Sequence, residues 1–297
     1  MPADLLLPFG EFVSKYNLEA AVPTIWITAQ GIGYLPNVTT IYVMKYIGIS
    51  TLESFSIGEL TTALHDNSLL YESAQRVLGP DVLYNSTILD VERTDASVSI
   101  IVKTPTKLIL VKAKKLVFAI QPKLENLGFL DLSPNETALF GQFISSQYLG
   151  SVIQNTGIPS NISLVAHSPD LPLNIPLPPN IYGIEPSGVA NLSTAFYLST
   201  GNLTQEEIEQ NILADIKKLQ IPGKVNTKPK FVAASVHQPF ELRVSPEAIA
   251  NGFYRDLYAL QGQKSTFYIS ATFHAQDSSL IWRFTESLLP SIIASLE

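Results

Sequence analysis

The sequence predicts an α+β fold with helices, a β-meander and a mixed sheet. Three observations carry this. Apolar residues fall at helical spacing through residues 5–80. From residue 82 the apolar period changes to two. From residue 131 onward strand and helix patterns mix, and the chain closes on a long capped helix. At 297 residues the chain is long enough to bury a sizeable core, and with no cysteine it does so without disulfides.

The elements follow in order. Phe9, Phe12, Val13 and Tyr16 share one helix face. Pro23 opens a helix through Trp26, and Gly31 closes it. Residues 68–78 form a helix capped by Ser68 and stopped by Gly79. Residues 82–92, 97–103, 107–112 and 115–120 are short β-branched runs that together read as a four-stranded meander. Residues 138–145 read as helix; 148–154, 163–167 and 195–198 read as strands. The Pro-rich stretch 169–186 reads as loop or edge. Thr204 and Glu207 form a capping box for a helix to about Leu219. Residues 231–236 are a strand. Ser245-Pro246-Glu247 opens a helix closed by Gly262. Residues 265–271 are an apolar strand, and Asp277-Ser278 caps a helix to about Ser295.

Composition excludes several functions. The net charge of −7 offers no general attraction to nucleic acid. No apolar run approaches the ~20 residues of a membrane span. Charged residues are only 15% of the chain, against roughly 25% for an average soluble protein. Asn-x-Ser/Thr sequons at Asn37, Asn85, Asn135, Asn161, Asn191 and Asn202 point to a secretory or extracellular location for the full-length form. Met1-Pro2-Ala3-Asp4 shows no signal peptide, so either the chain is not secreted or its true N-terminus lies upstream.

Familiar chemistry motifs are absent. No HExxH, P-loop, EF-hand or GxSxG occurs, and His65, His167, His237 and His274 have no metal-ligand spacing, so no metal site is expected. His167, Ser168 and Asp170 lie in one loop, whereas triad members converge from different elements. Gly31-Ile32-Gly33 follows a helix, and Pro36 takes the third glycine's place, so it is a helix end and not a dinucleotide turn. Lys112, Lys114 and Lys115, and the run from Lys224 to Lys230, read as solvated faces. No residue stands out as a general base.

The ending is more specific. A strand, then Thr272-Phe273-His274-Ala275-Gln276, runs into the helix start at Asp277-Ser278-Ser279. Such a helix end offers backbone N–H groups and a positive dipole. With Leu5-Leu6-Leu7-Pro8-Phe9-Gly10-Glu11-Phe12-Val13, Tyr42-Val43-Met44-Lys45-Tyr46, Gly252-Phe253-Tyr254-Arg255, Leu260-Gln261-Gly262 and Gln276-Asp277-Ser278-Ser279-Leu280-Ile281-Trp282, the chain resembles fungal FAD-dependent oxidoreductases of the flavin amine oxidase superfamily. The resemblance covers essentially the whole chain but only the middle and C-terminal parts of the family's length. The N-terminal βαβ unit with its glycine-rich fingerprint has no counterpart, so a missing FAD-binding segment is an expected partner.

The resemblance implies FAD as cofactor, a small-molecule substrate and hydride transfer from a substrate C–H to the flavin. It implies a flavin amine oxidase-like fold. Residues 1–80 would be the helical part of the substrate domain, 81–130 the FAD-domain meander, 131–240 the substrate-domain sheet and helix, and 241–297 the C-terminal helix, strand and flavin-contact helix. Implied cofactor contacts are Thr87, Ile88, Ala119, Ser270, Ala271, Thr272, Asp277, Ser278 and Ser279. Tyr148, Tyr197 and Phe240 are aromatic candidates for the substrate pocket. Gln154 joins them, standing where the family carries a flavin-facing Lys. Ser270 replaces the family's usual Gly. A non-catalytic truncated remnant and a secreted glycoprotein binding module remain open alternatives.

Overall fold

The computed structural model describes residues 1–58, 62–64, 66–219 and 227–297. His65 and Lys224 therefore lie outside the described residues. The helices are α1 (Phe9–Tyr16), α2 (Val22–Thr28), α3 (Thr40–Tyr46), α4 (Ile49–Ile57), α5 (Ser68–Leu78), α6 (Pro134–Phe140), α7 (Gln205–Leu219), α8 (Pro246–Ala250), α9 (Phe253–Tyr258) and α10 (Ser278–Ala294). The strands are β1 (Thr87–Arg93), β2 (Val98–Lys103), β3 (Leu108–Ala113), β4 (Leu116–Phe118), β5 (Ile144–Gln154), β6 (Leu164–Val165), β7 (Asn180–Pro186), β8 (Leu192–Ser199), β9 (Lys230–Arg243) and β10 (Thr266–Tyr268).

The chain divides into two units, each built from two segments. The first comprises Met1–Ile47 and Gln142–Phe253; the second comprises Gly48–Gly141 and Tyr254–Glu297. These units cut the chain at other places than the four segments drawn from the sequence. The first helical segment ends at Ile47 rather than at 80, so α4 and α5 belong with the meander. The sheet segment starts at Gln142 rather than 131, and the C-terminal segment at Tyr254 rather than 241.

In the first unit five strands form one sheet in the order β6-β7-β8-β5-β9. Every pairing is antiparallel, so the mixed sheet expected here is instead uniform. Alternation along β5 sends Leu149 and Ile153 to one face, where they meet Ala195 and Tyr197 of β8 and Ile208, Ile212 and Ile216 of α7. Those three isoleucines recur every four residues, so one stripe of α7 is buried while its acidic face stays in water. Burying each such side chain stabilises by about 1.5–3 kcal/mol. The capping box holds: Thr204 N donates to Glu207 Oε2 at 2.8 Å, and Glu207 N donates to Thr204 Oγ1 at 3.2 Å. The stretch 169–186 is not all loop, because β7 pairs with both β6 and β8 inside the sheet.

In the second unit β1, β2 and β3 form an antiparallel meander. The expected fourth strand leaves it. β4 pairs instead with β10, in parallel, matching Leu116 with Thr266 and Phe118 with Tyr268. Local periodicity identifies a strand but not its partner, and here the partner lies about 150 residues away.

Helix ends show which signals were physical. Ser68 is not the cap of α5; Asp66 Oδ1 accepts from Ser68 N at 2.9 Å. The helix expected over 138–145 begins earlier, at Pro134, because Ser133 and Glu136 form a full capping box, and residues from Ile144 already belong to β5. The helix opened by Ser245 is cut in two at Gly252, which takes φ +95°. α2 ends at Thr28, with Gly31 two residues beyond its cap at Ala29. No helix among the described residues is long and apolar enough to cross a membrane.

Candidate functional site

The parallel pair β4–β10 organises the second unit's candidate site. All three residues of β10 are buried. Ile269 N donates to Phe118 O at 3.0 Å, carrying the ladder one step past the strand. Beyond it Ile120 bends, and Ser270 leads into a 3-10 turn, Ala271–Phe273. The carboxyl ends of parallel strands are where open α/β sheets take ligands.

Among the described residues, three side-chain oxygens here have no hydrogen-bond partner. Ser270 and Thr272 are only 4% and 3% exposed. The Oγ of Ser270, the Oγ1 of Thr272 and the Oε1 of Gln121 are all buried without a hydrogen bond. Each such group costs about 1–3 kcal/mol when left unsatisfied, and native interiors rarely tolerate several together. A bound polar ligand would satisfy them.

The other implied contacts differ in character. Ala119 is exposed, and Ala271 half-buried. Asp277, Ser278 and Ser279 are exposed at the start of α10. Asp277 Oδ1 accepts from Leu280 N at 2.9 Å and from Ser279 Oγ at 2.6 Å. These hydrogen bonds hold the Asp277 carboxyl below its ordinary value. The helix end is thus already engaged by the chain's own carboxylate, which leaves it less to offer an external anion. Thr87 and Ile88 open β1, in a different sheet, with Thr87 exposed opposite Lys103.

A buried ionic cluster, not foreseen from the sequence, fixes β10. The guanidinium of Arg93, at the end of β1, pairs bidentately with Glu136 at 2.9 and 3.0 Å and reaches Asp131 Oδ1 at 2.6 Å. It also donates to Thr266 Oγ1 and Tyr268 OH at 3.2 and 3.1 Å. Tyr268 OH donates to Glu136, and Lys264 Nζ reaches Asp131 Oδ2 at 2.7 Å. Burial pushes the Glu136 carboxyl up, but the hydrogen bonds from Arg93 and Tyr268 outweigh it and hold it below its ordinary value. Burial and the Glu136 bond raise the Tyr268 hydroxyl. The Tyr268 ring stacks on Phe273 at 5.3 Å and meets Phe118 edge-on at 5.7 Å. The cluster thereby anchors β10, which leads into Ser270 and the 3-10 turn Ala271–Phe273 that holds Thr272.

In the first unit the sheet face opposite α7 carries an aromatic group. Tyr148 stacks on Phe240 at 5.0 Å, on Phe196 at 6.2 Å and on His237 at 6.3 Å. Its hydroxyl donates to Gln30 Oε1 at 2.5 Å, and burial raises it. Tyr182 meets Tyr148 edge-on at 6.4 Å and accepts from Gly31 N at 2.8 Å. Gly31 packs on the Phe240 ring with φ +80°, so the glycine pair is a seat for this ring and not a phosphate turn.

Of the four substrate candidates, Tyr148 and Phe240 are together. Gln154 is on the same face, six residues along β5 and so roughly 20 Å away. Tyr197 does not join them. It faces α7, 2% exposed, with its hydroxyl accepting from Asn211 Nδ2 at 3.0 Å. Odd positions of β8 face the helix, so its strand parity places it in the core. Gln121, Tyr182 and Phe196 were missed; the alternation that assigns Tyr197 would have assigned Phe196 to the aromatic face.

No family model matches the chain. Curated fungal proteins do. The FAD-dependent oxidoreductase oblC of Cochliobolus heterostrophus is 36% identical across 100% of this chain and 64% of its own length. Beta-cyclopiazonate dehydrogenase of Aspergillus flavus is 32% identical across 99% of this chain and 65% of its own. The chain thus spans less than two thirds of these relatives. Among solved structures, a CLA-producing fatty acid isomerase from P. acnes superposes with TM-score 0.77 at 25% identity, over 97% of this chain and 67% of that one. Cyclohexylamine oxidase from Brevibacterium oxydans shares the fold, with TM-score 0.51 at 12% identity over 90% of this chain and 64% of that one. Along its whole length, this chain is similar to the fungal FAD-dependent oxidoreductases that include beta-cyclopiazonate dehydrogenase, and it carries the fold of a flavin amine oxidase.

Proposed function

We propose that the protein is an FAD-dependent oxidoreductase, and that this chain supplies the cofactor contacts at the ends of β4 and β10. The observation that carries this is the trio of unpartnered buried oxygens on Gln121, Ser270 and Thr272. Ser270 and Thr272 would hold the ring, and Ala119 and Ala271 would border it with small side chains. Ser278 and Ser279 would face it from the start of α10, with Asp277 ordering that turn. Thr87 and Ile88 would lie along the adenine through backbone. FAD, when bound, supplies the hydride acceptor; the chain's own part is positioning and electrostatics. Tyr148 and Phe240 would lie against the substrate, with Gln154 farther along the face.

The test is the visible absorbance of the folded chain before and after adding FAD. A bound-flavin spectrum supports the reading, and a folded chain with no bound flavin favours a non-catalytic remnant.

Likeness to the fatty acid isomerase favours a second reading, in which hydride is taken and returned without net oxidation. Anaerobic mixing separates the two: substrate bleaches the flavin lastingly in an oxidoreductase and only transiently in an isomerase.

The exposure of all six sequon asparagines supports passage through the secretory pathway. A glycosidase-sensitive mass in the native product tests it.

A further inference from the structure

We propose that Arg243 holds an anionic oxygen of the substrate, and that the substrate is an organic acid whose apolar body lies on the Tyr148–Phe240 rings. This rests on the reading that those rings meet the substrate. It goes beyond it by assigning a substrate class and the residue that anchors it.

Arg93 shows what a buried guanidinium ordinarily finds. It has two carboxylates and three further oxygens. Arg243, near the end of β9, has far less. It donates from Nη1 to Ile32 O, and its Nε is buried with no partner. Among the described residues it makes no ion pair. A guanidinium keeps its charge in a protein, and a buried charge is costly unless paired. Burial accordingly works against the charged form of Arg243. Glu241 acts on it electrostatically but is bound elsewhere, accepting from Lys45 Nζ at 3.4 Å and from Tyr46 OH at 3.2 Å. Two cations thus share one carboxylate, and a positive charge is left over. Strain accompanies the cluster. Glu241 is 1% exposed and takes φ +47°, a conformation that a glutamate adopts only where its surroundings compel it.

The turn Gly31-Ile32-Gly33 places Arg243 beside the aromatic group. At one end Gly31 lies on the Phe240 ring and donates to Tyr182 OH at 2.8 Å. At the other, a Cβ on Gly33 would come within 3.0 Å of Nη1 and 3.2 Å of Nη2, at φ +101°. Glycine there lets the guanidinium lie against the backbone. Ser146 Oγ donates to Gly31 O, and lies 3.3 Å from Phe240 O, which fastens the turn to the sheet. The outer Cα atoms of such a turn are at most about 7 Å apart, so one small molecule spans ring and guanidinium. Arg243 as a residue is half-buried rather than sealed.

Charge and donor chemistry select the ligand. A guanidinium offers N–H donors in a planar fork and no acceptor, and a carboxylate takes two of them in parallel. The surplus positive charge repels an ammonium group, so this place suits an acid and opposes an amine.

The test is a calorimetric titration of the chain with 2-naphthylacetate, 2-naphthylacetamide and 2-(2-naphthyl)ethylamine, three probes that share one body and differ in charge. The acid is expected to bind about tenfold tighter than the amide, with the amine weakest. In Arg243→Met the ratio of acid to amide should fall to near one. The melting midpoint of that variant should hold, since an unpaired buried charge has gone. Arg243→Lys keeps the charge without the fork and should retain part of the ratio, which serves if the methionine variant does not fold. Phe240→Leu should weaken acid and amide alike and leave their ratio unchanged. No binding of the acid at millimolar concentration, equal binding of acid and amide by the unsubstituted chain, or an undiminished ratio in Arg243→Met overturns the assignment. Affinities untouched in Phe240→Leu overturn the placement on the rings. None of these titrations contains flavin, so FAD binding is judged separately, by absorbance, and stands or falls alone.

Discussion

Arg93 holds the second unit's site together by satisfying two carboxylates at once. Its side chain is fully buried, and Glu136 is 4% exposed at the side chain. Removing one partner of a buried pair leaves a charge without compensation, at a cost of about 3–5 kcal/mol. Arg93→Met is expected to lower the free energy of unfolding by that order, read from denaturant unfolding. The double variant Arg93→Met/Glu136→Gln should recover part of the loss. The pH dependence has a definite sign. The Glu136 carboxyl is held below its ordinary 4.5. Its contribution is therefore complete above that value and is lost as pH falls through the lower folded value. Glu136→Gln should remove this part of the acid limb, measured as melting temperature against pH. Gly31 is a second case. A Cβ there would come within 2.2 Å of the Phe240 ring at φ +80°. Gly31→Ala is expected to destabilise by more than about 1 kcal/mol, with partial rescue by Phe240→Ala.

At the scale of elements, capping chemistry was the most legible part of the sequence. Thr204 with Glu207, Ser245 and Asp277 all cap where the sequence places them, because a cap is a contact within four residues. Thr204→Ala should cost about 1 kcal/mol and raise amide exchange in the first turn of α7. Strand partners were less legible. β4 has the same apolar pattern as β1–β3, yet its hydrogen bonds go to β10. Nothing local distinguishes a meander strand from one that waits for a distant partner. β7 was hidden for a different reason: prolines around it suggest loop, although Tyr182, Gly183 and Ile184 inside it are buried. Of the candidate site, Ser270 and Thr272 were legible through position and resemblance. Gln121 was not, because an orphaned oxygen is a property of the folded surroundings and has no signature of its own.

At the scale of the whole molecule, low charge and six sequons fit a surface in which all six asparagines are exposed. Production in a secreting eukaryotic host is expected to add glycans, seen as a mass decrease on glycosidase treatment. Unchanged mass there would remove the basis for the secretory assignment. The division into units also has a consequence for thermal unfolding. Among the described residues no sheet is shared between the two units, so a calorimetric scan of Arg93→Met is expected to broaden or split, the variant acting on the second unit.

The interleaving of the two units has a consequence in time. The chain enters the second unit at Gly48, returns to the first at Gln142 and leaves it again after Phe253. On a ribosome adding roughly 5–20 residues per second, α1–α3 must wait about five seconds or longer for β5 to be made. The parallel partner of β4 comes later still, about 150 residues after it. Until then apolar helices and an unpaired strand edge stand uncovered, the condition that makes a nascent chain prone to aggregate. Slowing translation after residue 141 should lengthen that interval and lower soluble yield, while leaving the stability of the finished protein unchanged.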